Sequence, residues 1–301
     1  MNMRKIAAVL TAGVLIMGSL AGCGKTETNQ PDSNSAASKT SEESTAAENT
    51  GENQETSLNG KLTLVGSTSM EKMAVALKES FMNKYPDVTV NVEYGGSSAG
   101  IEAVLAGTAD IGNSSRNLKE SEISSGAVEN IVAIDGIAVI VNTENTVTEL
   151  TKDELISIYN GSVTNWNAFG GDSEPIVVVG REAGSGTRGA FEELLGLEDA
   201  CAYANELDST GAVLAKVAST KGAIGYVSLD VVDDTVSTVS LDGIEPTVEN
   251  IQVGDYFLCR PFVMATKGEI SEQSELVQEW FAYLESDEGK AVIESAGLIL
   301  P

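Results

Sequence analysis

Short apolar segments typical of strands alternate with segments of helical periodicity along most of this chain. Strands are predicted at Leu62–Val65 and Val88–Val92, and between them Met70–Tyr85 repeats apolar residues at helical spacing. Parallel strands need a long crossover, which a helix usually supplies. The alternation therefore predicts an α/β fold with mainly parallel sheets.

The same alternation continues to the end of the chain. Further strands are predicted at Ala109–Gly112, Ile131–Val141 (interrupted at Asp135-Gly136), Ile176–Gly180, Gly222–Val227 and Phe257–Ala265. Further helices are predicted at Ala99–Gly107, Thr151–Tyr159, Gly189–Leu195, Gly211–Ser219, Ser274–Leu284 and Asp287–Ser295.

Glycine-rich turns that carry hydroxyl groups occur at four of the junctions where a strand leads into a helix. They are Gly66–Ser69, Gly95–Gly100, Asn113–Arg116 and Gly180–Thr187. One such turn is ordinary punctuation, but in α/β sheets ligands bind where strand ends meet helix starts. Helix starts also attract anions through free N–H groups and the helix dipole. The four turns together predict one anion-binding site.

The run Gly180–Arg188 carries the most specific part of this prediction. Arg181 adds a planar guanidinium suited to tetrahedral oxyanions, and Ser185 and Thr187 add hydroxyl donors. The run lacks the lysine that a nucleotide-binding P-loop requires. The sequence therefore indicates a small anion rather than a nucleotide.

Composition excludes several other functions. The formal net charge is −27, which argues against nucleic acid and against charge-driven binding to anionic lipid. The chain has no histidine, which excludes Ser-His-Asp and Cys-His catalysis and histidine-bearing zinc sites. No Ser-x-x-Lys pattern accompanies Ser67 or Ser185 as a nucleophile. We therefore expect a protein that is not an enzyme and uses no cofactor or metal.

The N-terminal region is predicted to direct export and anchoring. Arg4 and Lys5 precede an apolar stretch from Ile6 to Leu20, and Leu20-Ala21-Gly22-Cys23 resembles a bacterial lipobox. We expect a signal peptide over 1–22, lipid on Cys23 and a disordered linker over 23–57, which would hold the protein on the extracytoplasmic face of the cell membrane. The alternative is an ordinary signal peptide with an incidental cysteine.

Two cysteines remain beyond the linker. Outside the cytoplasm Cys201 and Cys259 could form a disulfide, or both could be buried free thiols.

The glycine turns, in this order, resemble the phosphate-binding proteins of ABC phosphate importers. The matching segments are Gly66-Ser67-Thr68-Ser69, Gly96-Ser97-Ser98-Ala99-Gly100, Ala109–Ser115 and Arg181–Thr187, with Thr164-Asn165-Trp166 and Lys221–Tyr226. The resemblance covers nearly all of residues 60–301, and Arg181–Thr187 is its most specific segment.

This resemblance implies a type II periplasmic-binding-protein clamshell whose two domains are hinged by crossover strands. Domain I would comprise 58–137 plus 256–301, and domain II 138–255. A monomer would capture inorganic phosphate in the cleft and deliver it to the permease subunits of an ABC importer. The residues that the family's pattern assigns to phosphate are Thr68, Ser69, Ser97, Ser115, Arg181, Ser185, Gly186 and Thr187.

One departure from the family concerns how the anion is chosen. Where this chain has Ser115, the family often has an aspartate that accepts the phosphate proton and rejects sulfate. Asp135 is a candidate replacement acceptor, or else an interdomain or turn aspartate. Arg116 is either a second cation at the site or the partner of a surface acid. A site for another tetrahedral oxyanion, such as sulfate, is the alternative function.

Overall fold

The computed structural model describes residues 58–301. The predicted signal peptide over 1–22, the lipidation site Cys23 and the linker over 23–57 lie outside the described residues. Among residues 58–301, no helix combines the length and apolar character needed to cross a bilayer.

Residues 58–301 form twelve strands and nine α-helices. The strands are β1 (Gly60–Gly66), β2 (Val88–Tyr94), β3 (Ile111–Ser114), β4 (Ala127–Val128), β5 (Ile131–Asn142), β6 (Glu149–Leu150), β7 (Val177–Arg181), β8 (Asn205–Leu207), β9 (Ala223–Ser228), β10 (Val236–Thr238), β11 (Ser240–Leu241) and β12 (Cys259–Lys267). The helices are α1 (Glu71–Lys84), α2 (Ser97–Ala106), α3 (Glu120–Ser124), α4 (Lys152–Tyr159), α5 (Gly186–Leu195), α6 (Thr210–Ala218), α7 (Val248–Gln252), α8 (Glu275–Glu285) and α9 (Asp287–Ser295). A 3₁₀ turn, Thr68–Met70, precedes α1.

The large sheet has the strand order β2-β1-β3-β12-β5-β9-β7-β8. Its two ends are parallel, with β1 between β2 and β3 and β7 between β8 and β9. The middle is antiparallel, because β12 and β5 run against each other and against their outer neighbours. The predicted α/β fold is confirmed, and its parallel ends are the parts that bear the glycine turns.

Strand β5 crosses from one half of the sheet to the other without a break. Its residues pair with β12 as far as Gly136 and with β9 from Ile137 onward. The predicted interruption at Asp135-Gly136 is therefore wrong. A Cβ on Gly136 would lie 2.4 Å from Ile251 Cδ1, so the glycine permits close packing rather than ending the strand.

Two main apolar clusters lie on the two halves of this sheet. One surrounds Phe81 and Trp280 and draws its buried members from residues 62–133 and 262–298. The other surrounds Tyr159 and Phe191, with buried members from residues 137–258. Apart from Ile137, Tyr256 and Leu258, which the predicted bounds place in domain I, these clusters use the chain segments expected of two domains. The domain boundaries and the relative motion of the domains stay a prediction.

Two helices at the glycine turns begin earlier than their sequence patterns suggest. Helix α2 starts at Ser97 rather than Ala99, and α5 starts at Gly186 rather than Gly189. Ser185 caps α5, since its Oγ accepts a hydrogen bond from the Arg188 N–H. Residues assigned to the turns therefore form the first helical turns, where backbone N–H groups lack partners inside the helix.

The segments around Trp166 and Lys221 support the fold rather than the site. Trp166 is buried, and its Nε1 donates to the Gly222 carbonyl at 2.8 Å. This bond ties the loop before β7 to the turn that enters β9.

Candidate anion-binding site

The predicted site residues converge where the strand ends of the two sheet halves face each other. Thr68 and Ser69 follow β1, Ser97 starts α2, and Ser115 follows β3. Arg181 ends β7, and Ser185, Gly186 and Thr187 lie at the start of α5. Every one of these side chains with a polar group is buried: Thr68, Ser69, Ser97, Ser115, Arg181, Ser185 and Thr187. Buried polar groups in such number need partners.

Serine side chains connect the three turns from the first half of the sheet. Ser67 Oγ accepts from the Ser69 N–H at 3.2 Å and donates to Ser115 Oγ at 2.8 Å. Ser97 Oγ accepts from the Ser115 N–H at 3.1 Å. The three turns are therefore fixed relative to one another by serine hydroxyl groups. Ser67 has used its single O–H on Ser115, whereas Ser97 and Ser115 lie 3.4 Å apart, so that only one of them need donate to the other.

The second half of the sheet brings two threonines to the same place. Thr187 Oγ1 lies 2.7 Å from Ser69 Oγ, and Thr210 Oγ1 lies 3.0 Å from both Ser69 Oγ and Thr68 Oγ1. The backbone N–H of Thr210 also donates to Thr68 Oγ1 at 3.1 Å. Donors from both halves therefore face one small volume.

Arg181 is the cation at this volume, and its side chain is 2% exposed. Its Nε and Nη2 donate to the two carboxylate oxygens of Glu182 at 3.1 and 3.0 Å, and also to the Leu207 and Asp208 carbonyls. Its Nη1 points instead to Thr210 Oγ1 at 3.1 Å. One edge of the guanidinium is thus anchored, while Nη1 faces the cluster of hydroxyl groups.

A network behind β7 holds the main chain of Arg181. Its N–H donates to Tyr226 Oη at 3.3 Å, and its carbonyl accepts from Arg188 Nη1 at 3.0 Å. Arg188 pairs with Glu192, and Tyr203 Oη also donates to Glu192 at 2.9 Å. Because both backbone polar atoms are fixed from behind, the guanidinium is preorganised.

Gly186 lies where the two halves approach each other closely. A Cβ there would lie 2.2 Å from Ser97 Oγ, 2.7 Å from Ser115 Oγ and 3.0 Å from Ser97 Cβ. Ser98 N–H donates to the Gly184 carbonyl at 3.1 Å beside it. Only glycine allows this approach, which brings the α5 start against the α2 start.

Asp135 is linked through Arg260 to Ser115, which belongs to the cluster of hydroxyl groups described above. Arg260 donates to Asp135 Oδ2 from Nε at 3.1 Å and from Nη2 at 2.9 Å, and its Nη1 donates to the Ser115 carbonyl at 3.1 Å. Both side chains are 1% exposed. Asp135 is therefore not a turn aspartate: it pairs across strands with Arg260 at the point where β5 changes partners.

Burial raises the pKa of Asp135 to about 7; Arg260 opposes that shift and the nearby Asp230 adds to it. Burial also raises the pKa of Asp230. Within the described residues, both side-chain oxygens of Asp230 and the Oδ1 of Asp135 are buried without a hydrogen-bond partner. Two carboxyl groups therefore share one buried arginine beside the site. The role of Asp135 as a proton acceptor stays a prediction.

Arg116 pairs with an acid rather than with the hydroxyl cluster. Its Nη1 and Nη2 donate to the two carboxylate oxygens of Glu122 at 2.9 and 2.8 Å. Burial raises the pKa of Glu122, but the hydrogen bonds from Arg116 hold it below its ordinary value. Arg116 therefore pairs with an acid, which is one of the two expected alternatives, but that acid is mostly buried rather than at the surface.

Neither a disulfide nor a metal-ligand cluster accompanies the site within residues 58–301. Cys201 and Cys259 are free, half-buried thiols. The described residues contain no group of three or more cysteine, aspartate or glutamate side chains arranged to hold a metal ion.

Sequence reasoning missed Thr210 and Arg260. Thr210 follows Asp208-Ser209, a polar pair before a helical pattern, and that capping signal could have added a fifth turn. Arg260 carries no local signal, because its partners Asp135 and Ser115 are distant in the sequence.

Comparisons with known proteins agree with this arrangement. Residues 39–288 match a family model described as a PBP superfamily domain, so the predicted periplasmic-binding-protein fold is confirmed. The chain is 35% identical over 246 residues to the phosphate-binding protein PstS of Bacillus subtilis, covering 80% of each. It is 26% identical over 248 residues to the PstS protein of Borreliella burgdorferi, covering 78% of this chain and 88% of that one.

Two solved structures are also similar. One, a phosphate ABC transporter substrate-binding protein from Clostridium perfringens with bound phosphate, is 37% identical with a TM-score of 0.77. The other, an ABC-type phosphate transport receptor from Vibrio cholerae, is 36% identical with a TM-score of 0.68. Each comparison covers 80% of this chain and 100% of the other.

Proposed function

This chain belongs to the PstS family of phosphate-binding proteins, which are binding proteins and not enzymes, and from that premise we propose that it captures inorganic phosphate between the helix starts described above. The observation that carries the proposal is the convergence of Arg181 Nη1 with buried hydroxyl groups from both halves of the sheet. Charge-assisted bonds in such a dry site are roughly twice as strong as neutral ones.

We assign phosphate to the hydroxyl and N–H donors that face one another across the cleft. Ser69, Ser97 and the 3₁₀ turn at Thr68 supply donors from domain I, over 58–137 and 256–301. Ser185, Gly186 and Thr187 supply the start of α5 from domain II, over 138–255. The hydrogen bonds between Ser69 and Thr187 and between Ser98 and Gly184 support closure of these domains on the anion.

Arg181 supplies the fixed charge. The net charge of −27 does not oppose capture, because repulsion beyond about 8 Å is screened at physiological salt. Local donors therefore decide affinity.

Selection of phosphate over sulfate rests on a group that accepts the phosphate proton. Ser115 Oγ receives a hydrogen bond from Ser67, and with its own O–H turned to Ser97 Oγ at 3.4 Å it has a second lone pair for that proton. Within residues 58–301, Asp135 Oδ1 is buried without a hydrogen-bond partner, and Arg260 connects the Asp135 side chain to the Ser115 carbonyl. We propose that one of these two groups makes the choice. A neutral acceptor discriminates less than a carboxylate, so binding of another oxyanion remains the alternative function.

We further propose that the protein is a monomeric lipoprotein that delivers phosphate to the permease of an ABC importer. Cys23 would carry the lipid on the extracytoplasmic face, with 23–57 as the spacer. A Cys23→Ala variant, compared with wild type by metabolic labelling with palmitate, tests the anchor. Label in both forms, or in neither, contradicts it.

The direct test of phosphate binding is calorimetry with phosphate and with sulfate on protein stripped of anion. We expect tight binding of phosphate and much weaker binding of sulfate. Equal affinities favour the general oxyanion site, and heat from sulfate alone refutes the phosphate assignment.

A further inference from the structure

Thr210 carries the hydroxyl that accepts from the Arg181 guanidinium, and it lies outside the four glycine turns. It is the first residue of α6, which follows β8, and β8 pairs in parallel with β7 so that Leu207 lies beside Arg181. Thr210 is 3% exposed. The position of Thr210 therefore follows from the pairing of β8 with β7, and Thr210 lies outside the segments that resemble the phosphate-binding proteins.

The hydroxyl of Thr210 is not used to cap its own helix. Ser209 performs that task, since its Oγ accepts from the Ala212 N–H at 3.3 Å. The backbone N–H of Thr210 is used separately, on Thr68 Oγ1. The side-chain oxygen is thus available for other partners.

That oxygen has three polar neighbours: Arg181 Nη1 at 3.1 Å, and Ser69 Oγ and Thr68 Oγ1 at 3.0 Å each. The bond from Arg181 runs one way only, because a guanidinium is always a donor. Thr210 Oγ1 therefore accepts from Arg181 and must direct its own proton away from it. That proton faces the hydroxyl groups assigned to the anion.

We propose that Thr210 is an additional anion-binding residue whose hydroxyl donates to the bound oxyanion. The inference rests on the proposed function of this site. When an anion accepts hydrogen bonds from Arg181 Nη1 and Ser69 Oγ, these two groups no longer bond to Thr210. The hydroxyl of Thr210 then donates its own hydrogen bond to the same anion. The start of α6 then becomes a further helix N-terminus directed at the ligand.

Thr187 provides the internal comparison. It lies in the first turn of α5 and contacts Ser69 Oγ at 2.7 Å, as Thr210 does from α6 at 3.0 Å. Ser69 is therefore flanked by one threonine from each helix.

The test uses Thr210→Val, which removes the hydroxyl, and Thr210→Ser, which keeps it, in the full chain stripped of anion. We expect the dissociation constant for phosphate to rise at least tenfold in the valine variant, as for loss of a hydrogen bond to a charged group. The serine variant should stay within about threefold of wild type. Urea denaturation without ligand measures separately the stability lost when the valine leaves Arg181 Nη1 without its Thr210 acceptor, while the 210 N–H bond to Thr68 remains.

A valine variant that binds phosphate like wild type overturns the inference, and so does an equal loss in both variants. Phosphate, arsenate and sulfate are titrated in the same series. If wild type binds one of the other anions and not phosphate, the proposed function fails, and the same variants then test Thr210 with the anion that binds. If wild type binds none of the three, both proposals fail.

Discussion

Gly186 offers the sharpest test that the two halves of the molecule close on a ligand. In Gly186→Ala the added Cβ would lie 2.2 Å from Ser97 Oγ, whereas atoms in van der Waals contact lie about 3.5–4.0 Å apart. Rotation of the Ser97 hydroxyl does not remove the conflict, because Ser97 Cβ would remain at 3.0 Å. The halves must therefore separate by about 1 Å, roughly the shortfall from a normal contact.

That separation breaks bonds across the cleft. The Ser69–Thr187 contact at 2.7 Å and the Ser98–Gly184 bond at 3.1 Å would lengthen toward 4 Å, beyond hydrogen-bonding distance. The anion loses its contacts to one side in the same way. Two lost bonds to a charged ligand, at about 1.5–3 kcal/mol each, predict at least a hundredfold weaker phosphate binding.

Calorimetry with phosphate measures the affinity, and Gly211→Ala is the matched control. Gly211 lies near the start of α6, and a Cβ there meets nothing within 4 Å. Neither glycine has a positive φ, so alanine fits both backbones. We expect Gly211→Ala to bind like wild type and both variants to unfold at similar urea concentrations. An alanine at 186 that leaves phosphate affinity unchanged would refute the closed-cleft account.

Three further predictions concern charge. Arg181→Ala should weaken phosphate binding at least tenfold in calorimetry, because a hydrogen bond from a charged group contributes about 1.5–3 kcal/mol. An unchanged affinity would show that Arg181 does not bind the anion. Burial raises the pKa of Asp135 to about 7, above about 3.9 for an unfolded chain, so its contribution to stability is fully present below pH 4 and is lost as pH rises through 7. Urea unfolding of wild type and Asp135→Asn should therefore show wild type losing stability relative to the variant between pH 5 and pH 8, and a constant difference would contradict the buried carboxyl. Glu71, Glu182 and Asp208 line a pocket that Thr68 also lines, so stopped-flow association of phosphate should speed up with added salt and, at low salt, in Glu71→Gln. An association rate independent of salt would show that these carboxylates do not repel the incoming anion.

The sequence predicts the site better than it predicts the connections behind it. Gly66–Ser69 and Gly180–Thr187 are local signals, because a glycine turn before a helix reports a helix start wherever the strands lie. The α/β order then brings such starts together. The contacts of Ser69 with Thr187 confirm that the two turns meet.

What the sequence could not predict depends on long-range pairing or on very short elements. Strand β8 has three residues, too few for a periodic pattern, so the turn that carries Thr210 was missed. The pairing of Arg260 with Asp135 spans 125 positions, and no local pattern encodes it. The predicted break at Asp135-Gly136 was wrong, although a polar residue followed by a glycine usually ends a strand. Here Asp135 stays in strand β5 because it pairs with the buried Arg260, and Gly136 stays in the strand because it allows Ile251 to pack closely.

A crystal structure of the protein grown with phosphate tests the central claim most directly. We predict a tetrahedral anion within hydrogen-bonding distance of Arg181 Nη1, Ser69 Oγ and the N–H groups at the start of α5, with Gly186 packed against Ser97. Phosphate bound elsewhere, or a cleft that stays closed by the direct Ser69–Thr187 contact with no anion inside, would contradict the account.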